Sequence, residues 1–132
     1  MFKARDVMTT AIICARPEMP IYDAVRLLAG RSVTGMPVVD EELNLIGVLS
    51  EKDVLRMLYA TEESIGHTVS EYMTIDPVHL TVDDSLVDVC DCLIDSNFRR
   101  VFITDEGKLA GVIGRSDVIC AILKLKHQAA DD

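Results

Sequence analysis

The sequence has few of the residues that build disulfide or metal frameworks. Its four cysteines fit neither pattern, because Cys90 and Cys92 are two residues apart while Cys14 and Cys120 stand alone. We expect ordinary reduced thiols that behave as small apolar side chains. We therefore predict neither a metal site nor a disulfide.

Long hydrophobic runs are also absent. The longest uninterrupted apolar stretches, such as Ala11 to Ala15 and 118–123, are five or six residues, whereas a membrane-spanning helix needs about twenty. At the amino end, Asp6 precedes any long apolar stretch, so the plan of a secretory signal is missing. We expect a cytoplasmic protein without a transmembrane helix.

Basic charge is scarce. The 132 residues carry 13 basic and 22 acidic side chains, for a formal net charge of −9. This balance argues against a nucleic-acid or membrane partner held by broad attraction to phosphates. Any phosphate that binds must be captured by a few local side chains.

What the sequence does contain is an internal repeat. Met8-Thr9 returns 65 positions later as Met73-Thr74. Apolar residues at helical spacing return at the same offset, as Ile21, Ala24, Val25 and Leu28 and then Leu86, Val89, Cys90 and Leu93. Each copy continues with two β-branched strands and a second helix; the strands are 36–40 and 45–49 in the first copy, 100–105 and 109–113 in the second.

These patterns predict an α+β fold made of two tandem β-α-β-β-α repeats. We place the first repeat at residues 1–60, a polar linker at 61–71, the second repeat at 72–126 and a polar tail at 127–132. Each repeat is too small to bury much surface alone, so we expect the two to pack together in pseudo-twofold fashion.

One motif occurs in both copies. The segment 47–54 reads Gly-Val-Leu-Ser-Glu-Lys-Asp-Val, and 111–118 reads Gly-Val-Ile-Gly-Arg-Ser-Asp-Val. Together with the Met-Thr pairs and the Met-Pro-Val-Val-Asp strand at 36–40, it resembles the paired cystathionine beta-synthase type (CBS) domains, or Bateman module. The resemblance covers nearly the whole chain and implies a CBS domain pair.

The resemblance implies an adenosine-containing ligand (AMP, ADP, ATP, NAD or S-adenosylmethionine) in two clefts between the repeats. Such a ligand suits the motif, because an acidic side chain can accept hydrogen bonds from ribose hydroxyls, and the backbone N–H groups at a helix start can bind a phosphate. By the family pattern the first cleft combines Ser50, Lys52 and Asp53 with Pro77, Val78, Phe98, Arg99 and Arg100. The second combines Arg115, Ser116 and Asp117 with Thr9, Ile13, Val33 and Thr34.

We expect the first cleft to be the better site, because two arginines would meet the phosphates there. In the second cleft Gly114 replaces the expected hydroxyl, which weakens binding without excluding it. Two simpler interpretations stay open. Ser50 and Asp53 also match a capping box that binds nothing, and Arg99 and Arg100 could be solvated or paired with carboxylates.

No arrangement of residues indicates catalysis. His67, His79 and His127 have no nucleophile at a recognisable spacing, so we predict a non-enzyme and no obligatory cofactor. The closing helices, 54–59 and 118–123, are apolar over more than one face, which predicts a homodimer. We expect a nucleotide sensor that signals to an unidentified partner protein; the alternative is an interaction scaffold with vestigial or empty clefts.

Overall fold

The computed structural model describes residues 2–31, 34–59, 67–95 and 99–131, with side chains as far as residue 128. Val33 and Phe98 of the predicted sites lie outside these ranges, as does most of the predicted linker. Five helices and six strands are present in the described part: α1 Ala4–Val7, α2 Ile21–Arg31, β1 Gly35–Val39, β2 Leu45–Ser50, α3 Glu51–Leu55, β3 Thr74–Ile75, β4 His79–Thr81, α4 Leu86–Asp95, β5 Arg100–Asp105, β6 Lys108–Gly114 and α5 Arg115–Asp131. Short 3₁₀ turns cover Arg56–Tyr59 and Val69–Glu71.

The strands form two three-stranded sheets, ordered β1-β2-β3 and β4-β5-β6. Helices and strands are mixed along the chain, so the predicted α+β class is confirmed. The chain divides into two compact units, one made of residues 13–77 and the other of residues 1–12 together with 78–132. We call them the continuous unit and the split unit.

The continuous unit contains α2, α3 and the β1-β2-β3 sheet. Its core consists of Ile21, Ala24 and Leu28 of the predicted helix, Met36, Val38 and Leu49 of the predicted strands, and also Ala15 and Val69, which those patterns do not include. Two backbone contacts hold the segment before α2 and the later part of the predicted linker against this unit's core. Ala15 makes a parallel bridge to Val38 in β1, and the backbone N–H of Ile21 donates to the carbonyl of His67.

The split unit contains α1, α4, α5 and the β4-β5-β6 sheet. Its core is Ala4, Val82, Leu86, Val89, Leu93, Val101, Ile103, Ile113, Val118 and Ala121. A tight turn at Glu106 and Gly107 joins β5 to β6, and both residues have positive φ, as a two-residue hairpin turn requires. The corresponding turn in the first repeat is longer and is tied by Asp40, whose carboxylate accepts from the N–H groups of Glu42 and Asn44.

The compact units are offset from the sequence repeats. The opening segment of the second repeat, β3, pairs with β2 of the first repeat, and Thr9 of the first repeat pairs with Val112 of the second. The later part of each opening segment pairs within its own repeat. In the second repeat β4 pairs in parallel with β5, and in the first repeat Ala15 makes a parallel bridge to β1. The Met-Thr motif of each repeat therefore completes the sheet of the other repeat.

Three further features differ from or extend the sequence interpretation. Helix α1 precedes the first Met-Thr pair, α3 gives way to a 3₁₀ turn after Leu55, and α5 continues to Asp131 through residues we had expected as a polar tail. No helix in the described part of the chain is long and apolar enough to cross a membrane.

Candidate functional site

The start of α3 carries the first candidate site, within the continuous unit. Ser50 caps this helix: its Oγ accepts from the N–H of Asp53 at 3.2 Å, while Asp53 Oδ2 accepts from the N–H of Ser50 at 2.9 Å. The Ser50 hydroxyl also donates to Asp53 Oδ2 at 2.9 Å. The reciprocal bonds are a capping box, so that interpretation of the local geometry is confirmed.

Two further donors surround the same carboxylate. Thr74 Oγ1 donates to Asp53 Oδ1 at 3.2 Å and is 3.4 Å from Oδ2. Arg56 Nη1 lies 3.6 Å from Oδ1. A carboxylate offers about four acceptor positions, and here three hydrogen-bond donors and one ion-paired guanidinium surround it. Asp53 is accordingly only 2% exposed.

The start of α5 carries the equivalent site, within the split unit. Asp117 Oδ2 accepts from the backbone N–H of Gly114 at 2.8 Å, and Thr9 Oγ1 is 3.5 Å from Oδ1. Gly114 has no hydroxyl to add a second bond, so only the backbone half of the capping box is present. Asp117 is half-buried, and among the described residues it has no ion pair.

A strand glycine packs against the methionine next to the threonine of each site. A Cβ placed on Gly47 would lie 2.8 Å from Met73 Sδ, and one placed on Gly111 would lie too close to the Met8 side chain. The methionine of each Met-Thr pair therefore packs directly on the glycine of the other repeat's strand. This packing holds Thr74 beside Asp53 and Thr9 beside Asp117.

The predicted site residues divide between the units. Ser50, Lys52, Asp53, Pro77, Ile13 and Thr34 belong to the continuous unit, whereas Val78, Arg99, Arg100, Thr9, Arg115, Ser116 and Asp117 belong to the split unit. Within the units the structure brings together Ser50 with Asp53 and Thr9 with Asp117; the carbonyl of Thr34 accepts from Glu51 N–H at 3.1 Å. The proposed pairing of Asp53 with the two arginines remains a prediction.

The candidate phosphate-binding cations are exposed. Arg100 is paired in register with Gly114, and its Cγ lies 3.7 Å from where a Cβ on Gly114 would be. Across the described ranges, neither Lys52 nor Arg99, Arg100 or Arg115 has a carboxylate within ion-pair distance. Of the two simpler interpretations for Arg99 and Arg100, the structure favours solvated charges over ion pairs.

Sequence reasoning missed two residues of the first site. Thr74 is the counterpart of Thr9 at the 65-residue offset, so the repeat itself carried the signal. Arg56 follows Asp53 by three residues, and on a helix that spacing puts two side chains on one face. Extending the motif by one helical turn would have identified it.

Among the described residues, the cysteines and the possible metal ligands form no site beyond the two helix starts. All four cysteines lie in the described ranges and none of them forms a disulfide, and burial raises the pKa of the Cys14 thiol, which disfavours its reactive thiolate. Within the described residues no group of three or more His, Cys, Asp or Glu side chains could hold a metal ion. The two helix starts remain the places where polar side chains converge.

Two sheets built from repeated units, each with an acidic residue at a helix start, define a tandem-repeat protein with paired candidate sites. The family model for the CBS domain matches residues 4–60 and again residues 69–124. The chain therefore belongs to the CBS domain family and carries two CBS domains in tandem, which confirms the resemblance found in its motifs.

Known relatives agree with this assignment. The chain is 30% identical over 115 residues to MJ1225, an uncharacterized protein of Methanocaldococcus jannaschii, matching 87% of this chain and 41% of that protein. It is 28% identical over 141 residues to the chloroplastic CBS domain-containing protein CBSX2 of Arabidopsis thaliana, matching 86% of this chain and 59% of that protein. The chain thus spans about half the length of these two relatives.

The fold also matches solved structures. A crystal structure of CBSX2 in complex with AMP superposes with a TM-score of 0.83 at 31% sequence identity, covering 96% of this chain and 99% of the other. The two three-stranded sheets and their helices are therefore those of a CBS pair.

Proposed function

We propose that this chain is a non-catalytic regulatory module that binds an adenosine-containing ligand and transmits the resulting change of the module to a partner protein. The observation that carries the proposal is the repeated helix-start carboxylate, Asp53 or Asp117, with a threonine hydroxyl beside it. Such a carboxylate can accept both hydroxyls of a ribose. The AMP complex of CBSX2 supports the same ligand class.

The acidic background of the chain gives the local cations their importance. Arg99, Arg100 and Arg115 are exposed and carry positive charge in a chain of net charge −9. Because arginine forks onto phosphate oxygens, these side chains are the ones we expect to favour nucleotides over free adenosine. The candidate ligands are AMP, ADP, ATP, NAD and S-adenosylmethionine.

Calorimetric titration with each of the five ligands tests this proposal. We expect at least one to bind below millimolar concentration, and a triple variant that combines Arg99→Gln, Arg100→Gln and Arg115→Gln to weaken a phosphate-bearing ligand by about tenfold or more. Arg31→Gln is the control, since Arg31 is exposed at the end of α2. If none of the five binds, the sensor proposal is wrong.

A signal to a partner requires that the ligand bind two states of the module unequally. Hydrogen exchange with and without the bound ligand measures this difference directly. We expect altered protection beyond the residues that touch the ligand. A change confined to the two helix starts would argue against a regulatory role.

A homodimer forms part of the proposal. Leu58 is 84% exposed and Tyr59 is 90% exposed in the 3₁₀ turn after α3, and Ile119, Ile122 and Leu123 on α5 are exposed as well. Exposed apolar side chains on either element favour burial against another surface. Light scattering should give a dimer that Ile122→Asp weakens and Leu43→Asp, in an exposed turn, does not; a monomeric wild type would contradict it.

The second candidate function is an interaction scaffold whose nucleotide sites are vestigial. The two hydroxyl groups and the guanidinium already beside the Asp53 carboxylate favour it, because a ligand there would compete with them. A dimer that binds none of the five ligands would support the scaffold. A cytoplasmic location stays a prediction, to be checked by fractionation, and CBSX2 among the relatives is chloroplastic.

A further inference from the structure

The two repeats present chemically different carboxylates to a ligand. At Asp53 three hydrogen-bond donors are already in place, the Ser50 N–H, the Ser50 hydroxyl and the Thr74 hydroxyl, and the Arg56 guanidinium forms an ion pair at 3.6 Å. At Asp117 the donors among the described residues are the Gly114 N–H at 2.8 Å and the Thr9 hydroxyl at 3.5 Å, and no cation there forms an ion pair with the carboxylate. The difference is greater than the single Ser-to-Gly change suggests.

Three sequence differences produce this asymmetry. Gly114 replaces Ser50 and removes one hydroxyl donor. Cys120 lies at the position of Arg56, and a thiol carries no positive charge and is only a weak donor. The threonine approaches more closely in the first site, at 3.2 Å against 3.5 Å.

A ribose needs unoccupied acceptor positions. Its two hydroxyls must find two lone pairs on one carboxylate, and a ligand at Asp53 would have to displace Thr74 and Arg56 first. Displacing the guanidinium would leave a carboxylate that is 2% exposed without its neighbouring cation, which adds to the cost. Asp117 has positions available and is half-buried, so its geometry requires no such exchange.

We propose that ligand enters at Asp117 first and that Arg56 is the specificity-determining residue that keeps the Asp53 site closed. This inference rests on the proposed function and reverses the order expected from the sequence, where the site at Asp53 is the better one. Arg56 is suited to the role because its side chain is 71% exposed and can swing away from Asp53. The chain then holds one ready site and one site that opens when the Arg56 contact is broken.

Calorimetric titration of the wild type and of four variants with AMP tests this inference. Wild type should bind one AMP per chain. Asp117→Asn should weaken that binding by about tenfold or more, whereas Asp53→Asn should change it by less than about threefold. Thermal melting shows whether Asp53→Asn still folds.

Arg56→Gln keeps the inference testable if Asp53→Asn does not fold. Opening the closed site should raise the stoichiometry from one to two AMP per chain. The matched control is Arg26→Gln, because Arg26 makes the same i,i+3 contact with Asp23, at 2.7 Å, on α2. That variant should stay at one AMP per chain.

The outcomes separate the two proposals. If neither the wild type nor any variant binds AMP, the inference is wrong. If the wild type binds none of the five ligands, the sensor function is wrong as well. Binding that Asp53→Asn abolishes and Asp117→Asn spares overturns the inference alone, as does a stoichiometry of two in the wild type. One AMP per chain with Arg56→Gln also overturns the role given to Arg56.

Discussion

At the scale of single residues, the packing of methionine on glycine determines how closely the strands approach. A Cβ on Gly111 would lie 2.9 Å from the Cβ and 2.7 Å from the Cγ of Met8. These atoms are near the Met8 backbone and cannot rotate away freely, so a larger residue must move the strand. The small residue in the motif therefore has a steric role apart from any ligand.

Gly111→Ala should lower the free energy of unfolding by about 1–3 kcal/mol, because overpacking forces side chains and backbone to shift. Gly30→Ala is the control: no atom lies within 4 Å of its Cβ position, and it lies in helix α2. Alanine there should stabilise the protein by about 0.5–1 kcal/mol. Urea denaturation measures both; equal effects in the two variants would contradict the steric explanation.

A second residue-scale feature ties the amino-terminal segment to the split unit. Arg5 Nη2 lies 2.7 Å from Asp83 Oδ1, and Lys3 Nζ lies 3.7 Å from the same oxygen. The hydrogen bond and charge of Arg5 hold the pKa of the Asp83 carboxyl below its usual range. Both partners are exposed, so salt screens the contact.

The sign of the pH dependence follows from that lowered pKa. A carboxyl whose pKa is lower in the folded state stabilises above its unfolded value, about 3.9, and loses this contribution as the pH falls through the folded value. Asp83→Asn should therefore lower Tm at pH 6 and lower it less as the pH falls towards about 2. Asp91→Asn, at an exposed position on α4, is the control; an equal Tm shift at both pH values would contradict the linkage.

At the scale of elements, the two sheet-to-helix junctions show how one motif yields different helix starts. Helix α3 begins with a complete capping box, whereas α5 begins at a glycine whose N–H is bound by Asp117 alone. A Cβ on Gly114 would make only ordinary contacts, at 3.6–3.8 Å. Sterics therefore do not require glycine at this position.

Ser50→Ala should cost about 1 kcal/mol of stability, because two bonds of the cap depend on the hydroxyl. Ser116→Ala is the matched control, since Ser116 is exposed in the first turn of α5 and alanine favours a helix. Chemical denaturation should place Ser116→Ala within about 0.5 kcal/mol of wild type. A loss at Ser116 as large as that at Ser50 would argue against the capping role.

At the scale of the whole molecule, the exchange of opening segments separates the folding units from the sequence repeats. The continuous unit needs β3 to complete its sheet and Val69 to fill its core, although Val69 lies within the predicted linker and β3 follows it. The split unit needs residues 4–9, because Ala4 is fully buried and Thr9 bridges to β6. Each repeat alone lacks part of its own sheet.

A fragment of residues 13–77 should therefore fold better than a fragment of residues 1–60. The first keeps the contacts of Met73 with Gly47 and of Thr74 with Asp53, and the second loses both. Circular dichroism melting should be cooperative for 13–77 and broad for 1–60, although both are near the lower size limit for a stable core. Cooperative melting of 1–60 alone would show that the exchanged strand is dispensable.

Much of the fold could be predicted because side-chain periodicity is a local property. The spacing of Ile21, Ala24 and Leu28 identified α2, and all three are buried as expected. Strand partners could not be predicted in the same way, since the pattern of 74–75 is compatible with either neighbouring sheet. The candidate site was found by motif as far as Asp53 and Asp117, but Thr74 and Arg56 emerged only from their contacts.

The sequence by itself determined the repeat, the α+β class, the CBS family and the two helix-start aspartates, because each depends on residue identity and spacing along the chain. Only the tertiary structure decided that Met8 and Met73 pack on glycines of the opposite repeat and that β3 joins β2. It also distinguished the two aspartates. Although Ser50 and Arg56 lie within three residues of Asp53, Thr74 and Thr9 reach their aspartates only through strand pairing with the other repeat, and the local motif carries no signature of that pairing.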